Sequence, residues 1–223
     1  MRADRILAEV RGPRVLDVGC ASTNVRPDSP RWIHRRLVER FERVWGIDRS
    51  VENVARMREA DYRRTIVADA MEFALTERFD TIVAGEVIEH LENPGRFLDR
   101  ARDHLAPGGR IVLTTPYPFA LFNVLYAFLK YPKTCENEDH VVWLCPRTME
   151  ELARRRGLAV DRWEAVEDYK PESDSRPYRW FVRGLGAIRP VVPKRLRCNA
   201  LLFVLRKVGE AEISEPRPTA ARR

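Results

Sequence analysis

The sequence lacks several features that would place it in familiar classes of protein. Its four cysteines form no CxxC pair, it contains no GxxxxGK[ST] phosphate loop, and no uncharged apolar run approaches the ~18 residues of a membrane-spanning helix. Only 11 of the 223 residues are glycine and 15 are proline, which is too few for a fibrous repeat. These absences argue against a transmembrane helix, a P-loop nucleotide site and a collagen-like chain.

The N-terminal residues also lack the uninterrupted apolar stretch of a secretory signal, because charges divide the first ten residues. We therefore expect a cytoplasmic protein whose thiols are reduced. Those thiols belong to Cys20, Cys135, Cys145 and Cys198.

Acidic residues are missing from one long segment near the end of the chain. Residues 175–209 contain no Asp or Glu but nine Lys or Arg, which exceeds the net charge of +7 of the whole chain. Three interpretations stay open: a solvated face, a pocket for an anionic substrate, or a surface for acidic lipid headgroups. Nucleic acid is not favoured as a partner, because no nucleic-acid motif accompanies the charge.

Hydrophobic residues make up 44% of the chain and charged residues 33%, a mixture that can build a core. Short apolar segments alternate with amphipathic ones, which predicts parallel strands joined by helices on both faces of a sheet. The predicted strands are 14–19, 44–48, 65–69, 79–85, 110–115, 158–166 and 199–207, and the predicted helices are 30–43, 51–60 and 94–105.

Ligands of such sheets bind beyond the carboxyl ends of the strands, so the residues at those ends are the candidate site. Gly19 allows close approach to the backbone, Asp48 can accept hydrogen bonds from ribose hydroxyls, and Asp69 lies where an adenine edge would be read. The turn after the first strand has only the first glycine of GxGxxG, and Pro27 and Pro30 delay the next helix. The pattern therefore favours an adenosine cofactor without a pyrophosphate.

Five segments in order resemble the motifs of class I S-adenosylmethionine-dependent methyltransferases of the small-molecule type. The match is close over residues 14–116 and looser over 139–152. The segments are Val15-Leu-Asp-Val-Gly-Cys20, Val44-Trp-Gly-Ile-Asp48, Ala68-Asp69-Ala70, Phe79-Asp80 through Gly85-Glu-Val-Ile-Glu-His90, and Leu105-Ala-Pro-Gly-Gly-Arg-Ile-Val-Leu-Thr-Thr-Pro116.

The resemblance implies an α/β fold: a Rossmann-like, doubly wound, seven-stranded, mostly parallel sheet with helices on both faces. It implies S-adenosylmethionine as the cofactor. Ala21 and Thr23 stand where the family has its second and third glycines, so we expect a rebuilt turn. The implied cofactor-binding residues are Asp17, Gly19, Cys20, Ala21, Asp48, Arg49, Asp69, Ala70, Gly85 and Glu86.

Methyl transfer to a hydroxyl usually needs a general base, and histidine titrates near neutral pH. His140 and His90 are the candidates, whereas His34 and His104 are expected on helix surfaces without a role. Cys135 and Cys145 near His140 match no tight metal-ligand spacing, so we expect no metal there.

We expect residues 1–208 to form one methyltransferase domain, with about 116–145 and 168–198 as a substrate cap or insertions and 209–223 as a disordered tail. The aromatic run from Tyr117 to Tyr131 has helical spacing and forms either core, an apolar lid or a lipid-contacting patch.

The predicted function is methyl transfer, most readily O-methylation, to a small-molecule acceptor, with an anionic or lipid-linked acceptor among the candidates. Three alternatives stay open. They are a membrane-associated enzyme acting on a quinone-type acceptor, a non-catalytic partner that binds S-adenosylmethionine, and a dehydrogenase.

Overall fold

One mixed sheet organises the part of the chain that this computed structural model describes, namely residues 1–21, 29, 31–129, 139–168, 180, 183–184 and 190–209. The strand order is β3-β2-β1-β4-β5-β7-β6; β7 runs antiparallel to both of its neighbours, and the pairs from β3 to β5 are parallel. The predicted seven-stranded, doubly wound, mostly parallel sheet is therefore confirmed. The strands are β1 (Arg14–Val18), β2 (Arg43–Asp48), β3 (Thr65–Val67), β4 (Phe79–Gly85), β5 (Leu105–Pro116), β6 (Leu158–Val166) and β7 (Ala200–Lys207).

Helices connect the strands, and capping side chains fix where two of them begin. The Ser50 hydroxyl accepts a hydrogen bond from the backbone of Asn53, and the Asn93 side chain accepts one from the backbone of Arg96. A 3-10 turn spans Ile88–His90. The helices are α1 (Arg2–Glu9), α2 (Ile33–Arg40), α3 (Val51–Glu59), α4 (Pro94–Asp103), α5 (Leu121–Leu129), α6 (Pro146–Arg155) and α7 (Lys194–Arg197).

The sheet has an apolar core on each face, because successive strand residues point to opposite sides. Val83 and Val112 pack with Ile6 of α1 and Leu37 of α2. Their neighbours along the strands belong to a second and larger cluster, which includes Phe97 of α4 and Met149 of α6. Helices therefore cover both faces, as predicted.

Element boundaries differ most from the predictions around α2 and between α4 and β5, and several other ends differ by one or two residues. The predicted helix 94–105 ends at Asp103, and β5 begins at Leu105 instead of residue 110, because Leu105 already pairs with Phe79. The predicted helix 30–43 is shorter and begins at Ile33, because Trp32 has extended backbone angles and occupies the N-cap.

Candidate functional site

The turn after β1 is held against the end of β2. The backbone nitrogens of Gly19 and Cys20 both donate to the Ile47 carbonyl, at 2.8 and 3.1 Å. Gly19 has φ +71°, and a Cβ at this position would lie 2.6 Å from Cγ2 of Val87. A residue with a Cβ would displace Val87 here, which explains why the sequence has glycine at position 19.

Asp48, at the end of β2, ties the same turn to the start of α3. Its Oδ2 accepts a hydrogen bond from the Ala21 nitrogen at 3.1 Å, and its Oδ1 accepts one from the Ser50 nitrogen at 2.9 Å. A carboxylate oxygen can accept more than one hydrogen bond, so acceptor capacity remains for ribose hydroxyls. Arg49, directly after it, is exposed.

Asp69 and Ala70 follow β3 in an exposed turn beside the end of β2. Asp69 Oδ1 accepts a hydrogen bond from the Met71 nitrogen at 2.6 Å, and the Ala68 nitrogen donates to the Asp48 carbonyl at 3.0 Å. The ends of β1, β2 and β3 thus form one continuous edge, as a bound adenosine requires.

Asp17 lies below this edge instead of on it. Its carboxyl group is almost fully buried, with Oδ2 3.1 Å from Nδ1 of His34. Burial raises the pKa of Asp17, and the hydrogen bond from His34 opposes that rise. No pattern in the sequence indicates this pairing of Asp17 with His34.

Glu86 follows β4 with strained backbone geometry and a charged partner from the N-terminal helix. Its φ is +59°, and its Oε2 lies 2.7 Å from Nη1 of Arg2. The Arg2 backbone nitrogen also donates to Oδ1 of Asp168, at 3.0 Å, beyond the end of β6. Positive φ is uncommon in residues other than glycine and is concentrated at functional sites. Gly85, just before it, allows close packing, because a Cβ there would lie 2.7 Å from Cδ1 of Ile33.

Glu89 is a buried carboxyl group beside this ion pair. It is 1% exposed, and burial together with the neighbouring Glu86 carboxylate raises its pKa to about 8. Glu89 therefore holds a proton over most of the physiological pH range.

The two predicted catalytic histidines are brought together next to Glu89. The ring centroids of His90 and His140 are 4.7 Å apart in an edge-to-face arrangement. The Glu89 carbonyl accepts a hydrogen bond from the Val141 nitrogen at 2.9 Å, and Nδ1 of His90 lies 3.2 Å from the Asp139 carbonyl. Burial, and secondarily His90, lower the pKa of His140, so its imidazole is neutral at pH 7 and can accept a proton.

The same three side chains also have the geometry of a candidate cation site. One ligand atom from each of Glu89, His90 and His140 lies within 4.8 Å of the others. Two imidazoles and a carboxylate are ligands that divalent transition metals accept. Sequence reasoning missed this grouping, because His140 joins the pair from 50 residues further along the chain.

Residues 2–162 match the family model described as a methyltransferase domain. A ubiquinone biosynthesis O-methyltransferase of Nitrobacter winogradskyi is 32% identical over 200 residues, which are 80% of this chain and 67% of that protein. The chain belongs to the methyltransferase-domain family. The predicted family, enzyme class and S-adenosylmethionine cofactor are confirmed.

Further similarities point the same way. A ubiquinone biosynthesis O-methyltransferase of Rhodopseudomonas palustris is 28% identical over 197 residues, covering 75% of this chain and 71% of that protein. A methyltransferase structure from Archaeoglobus fulgidus superposes with a TM-score of 0.64 at 17% identity, covering 92% of this chain and 91% of that one. At such an identity the superposition supports the fold alone. The methyltransferase spans about two thirds of the length of these curated relatives.

The residues of the methyltransferase site fit S-adenosylmethionine. The edge offers a glycine where a Cβ would collide and a carboxylate at the end of β2. The ten predicted cofactor residues lie on or beside this edge and the end of β4, except that Asp17 and Cys20 are buried behind it. Their individual roles stay predictions.

Two histidines are placed differently from the prediction. The prediction that His34 and His104 lie on helix surfaces is wrong, because both are at least 95% buried. His34 pairs with Asp17, and the His104 ring accepts a hydrogen bond from the Leu75 nitrogen at 2.9 Å and bonds to the Arg100 carbonyl at 2.7 Å. A lone histidine among charged residues carries no sequence signal for such burial.

The aromatic run forms a helix, α5, whose end is exposed and apolar. Phe128 and Leu129 are 83% and 72% exposed. The side chain of Tyr126, and Tyr131 and Cys135 entirely, lie outside the described residues, as do Arg176, Arg179 and Arg189 of the basic segment. None of the described helices is long and apolar enough to cross a bilayer.

Proposed function

We propose that the methyltransferase transfers a methyl group to the hydroxyl of a small aromatic acceptor of the quinone-precursor type. The observation that carries the proposal is the grouping of His140, His90 and Glu89 beside Glu86, at the end of the strand that borders the cofactor edge. The name of the relatives, ubiquinone biosynthesis O-methyltransferase, supports an oxygen acceptor of this class.

When bound, S-adenosylmethionine supplies a methyl carbon attached to a positively charged sulfur. The acceptor oxygen bonds to that carbon as the carbon–sulfur bond breaks. In this proposal the nucleoside is held by the residues at the ends of β1, β2 and β3, namely Gly19, Ala21, Asp48, Arg49, Asp69 and Ala70. The turn after β1 is supported by Asp17 and Cys20. Gly85 and Glu86 border the methyl end. His140 takes the hydroxyl proton onto its ring, and His90 fixes the position of His140 through the Asp139 carbonyl.

The pH dependence of turnover tests the role of His140. The lowered pKa of His140 predicts that kcat rises through mildly acidic pH and is level at pH 7, since only the neutral ring accepts a proton. His140→Ala should lower kcat by about 10²-fold or more and remove the acidic limb of the profile. Val141→Ala, an exposed neighbour in the same segment, is the matched control and should leave the profile unchanged.

A chelator separates proton transfer from a role of His140 in holding a cation. If the ring accepts the proton, activity survives chelator treatment, and addition of Mg²⁺ or Mn²⁺ changes nothing. Activity that falls with the chelator and returns with the cation would make His140 a ligand and would contradict the proposed base.

We also propose that α5 and the segments about 116–145 and 168–198 form a cap over the acceptor. In this proposal the exposed end of α5 contacts lipid. Apolar side chains are concentrated on and beside α5, and the helix contacts α7, whose four residues read KRLR. An apolar surface beside basic residues suits a membrane containing acidic lipids. The exposed apolar residues are Phe119, Val124, Leu125, Phe128 and Leu129.

Vesicle cosedimentation tests this surface. The enzyme should bind vesicles that contain acidic phospholipid, and bind less at high salt. The double variant Phe128→Ser/Leu129→Ser should weaken binding by about tenfold or more, since two large apolar side chains lose their burial in lipid. Val38→Ser, at an exposed site on α2, is the control. Equal binding of all three proteins, or none by the unmodified enzyme, would remove the lipid contact.

A further inference from the structure

The turn that contacts the cofactor lacks two of the three family glycines, and the start of α2 carries side chains that reach back to it. Residues 19–21 are the described part of this turn, and Ala21 occupies the second glycine position. α2 begins only at Ile33, so the residue at its N-cap, Trp32, lies next to the turn instead of continuing from it. The late start of the helix thus places the large donor side chain of Trp32 beside the turn.

Trp32 donates a buried hydrogen bond to the turn itself. Its indole Nε1 lies 2.8 Å from the carbonyl oxygen of Cys20, and the side chain is 7% exposed. The ring packs edge-to-face on Tyr62, with centroids 4.8 Å apart, and forms a small apolar cluster with Cys20 and Met57. The ring is therefore fixed on both sides, and its N–H is aimed at a single carbonyl group.

The side chain of His34, near the start of the same helix, contacts Asp17 near the end of strand β1. Its Nδ1 lies 3.1 Å from Oδ2 of Asp17, and both side chains are at most 4% exposed. The Nδ1 atom of His34 thus lies within hydrogen-bonding distance of the Asp17 carboxyl group, and the pair fixes the position of both side chains.

Because Gly46 of β2 has no side chain, it leaves room for the side chains of Cys20 and His34. A Cβ at this position would lie 2.6 Å from Sγ of Cys20 and 2.8 Å from Cε1 of His34. The residue is in a regular strand and needs no unusual backbone angles, so its glycine is explained by the two side chains packed against it. The residues at positions 32, 34 and 46 therefore all contribute to the packing around the turn after β1.

We propose that Trp32 and His34 are positioning residues for S-adenosylmethionine: their side chains hold the turn that the missing glycines would otherwise shape. The Trp32 N–H fixes the Cys20 carbonyl, and with it the direction of the Ala21 N–H, which donates to Asp48. His34 fixes Asp17 at the root of the turn. Neither side chain needs to contact the cofactor.

The affinity for S-adenosylhomocysteine, measured by calorimetry, tests the proposal. Trp32→Phe keeps an aromatic ring in the cluster but removes the N–H donor, and it should raise the Kd about tenfold, since a buried carbonyl loses its partner. His34→Leu should do the same, whereas His34→Asn, whose side-chain amide can replace the Nδ1–H donor, should restore affinity to within about threefold. Tyr62→Phe keeps the ring that packs on Trp32 and is the matched control.

Kinetics separate positioning from general support of the fold. For Trp32→Phe and His34→Leu, KM for S-adenosylmethionine should rise while KM for the acceptor and the Tm stay close to those of the unmodified enzyme. Unchanged affinity in Trp32→Phe would overturn the role of Trp32. Equal losses of affinity and Tm in His34→Leu and His34→Asn would reduce His34 to a core residue. If His34→Leu does not fold, the comparison of His34→Asn with the unmodified enzyme decides in the same way.

Discussion

Replacing Glu89 by Gln is expected to remove most of the decline in stability of this methyltransferase between pH 5 and pH 8. The pKa of Glu89 is about 8 in the folded enzyme and near 4.5 in the unfolded chain. Between these values the folded state binds more protons, so the free energy of unfolding falls as the pH rises and levels off above about pH 8. The difference corresponds to a loss of roughly 4 kcal/mol across this range.

An uncharged glutamine cannot ionise, so the stability of Glu89→Gln should fall much less over the same range, and this variant should be more stable than the unmodified enzyme at pH 8. Urea unfolding at several pH values measures this directly. Glu92→Gln, an exposed residue three positions along, is the control and should keep the original slope. Parallel curves for the enzyme and Glu89→Gln would show that Glu89 is already ionised when folded.

Replacing Gly19 by Ala is expected to abolish cofactor binding. The residue has φ +71°, which costs a residue with a Cβ ~1–2 kcal/mol, and the new methyl group would lie 2.6 Å from Val87. The turn must move to relieve this contact, and with it the nitrogens that donate to Ile47. We expect the Kd for S-adenosylhomocysteine to rise about 100-fold or more, as measured by calorimetry.

Gly108→Ala is a matched control for this change. Gly108 has φ +73°, a Cβ added to it would meet no atom within 4 Å, and it lies at the opposite end of the sheet from the cofactor edge. It should lose about 1 kcal/mol of stability and keep its affinity. Relative to Gly19→Ala, the double variant Gly19→Ala/Val87→Ala should be more stable, because the shorter side chain at position 87 relieves the contact with the new methyl group. Normal affinity in Gly19→Ala would show that the turn is not part of the cofactor site.

The sheet was predictable because its signals are local. The predicted strands 79–85 and 158–166 have the ends of β4 and β6, and the predicted helix 51–60 begins where α3 begins. The resemblance of the motif segments supplied the strand ends that form the cofactor edge. The boundaries of α2 and α4 were not predictable in the same way, because they depend on Trp32 turning toward Cys20 and on Leu105 pairing with Phe79.

The contacts that shape the candidate site could not be predicted, because they join distant parts of the chain. Arg2 meets Glu86 across 84 residues, and His140 meets His90 across 50. The elevated pKa of Glu89 arises from burial by several elements at once, and no single stretch of sequence carries it. The sequence motifs identified which polar residues stand at the strand ends. The partners of those residues could be identified only from the folded structure.

The position of β7 has a consequence for how the chain is made. This strand comes last among the described strands and lies between β5 and β6, pairing with both. During synthesis on the ribosome, β5 and β6 therefore present open edges until residues 200–207 have left the exit tunnel. We expect a nascent chain halted before that point to be the species most in need of a chaperone.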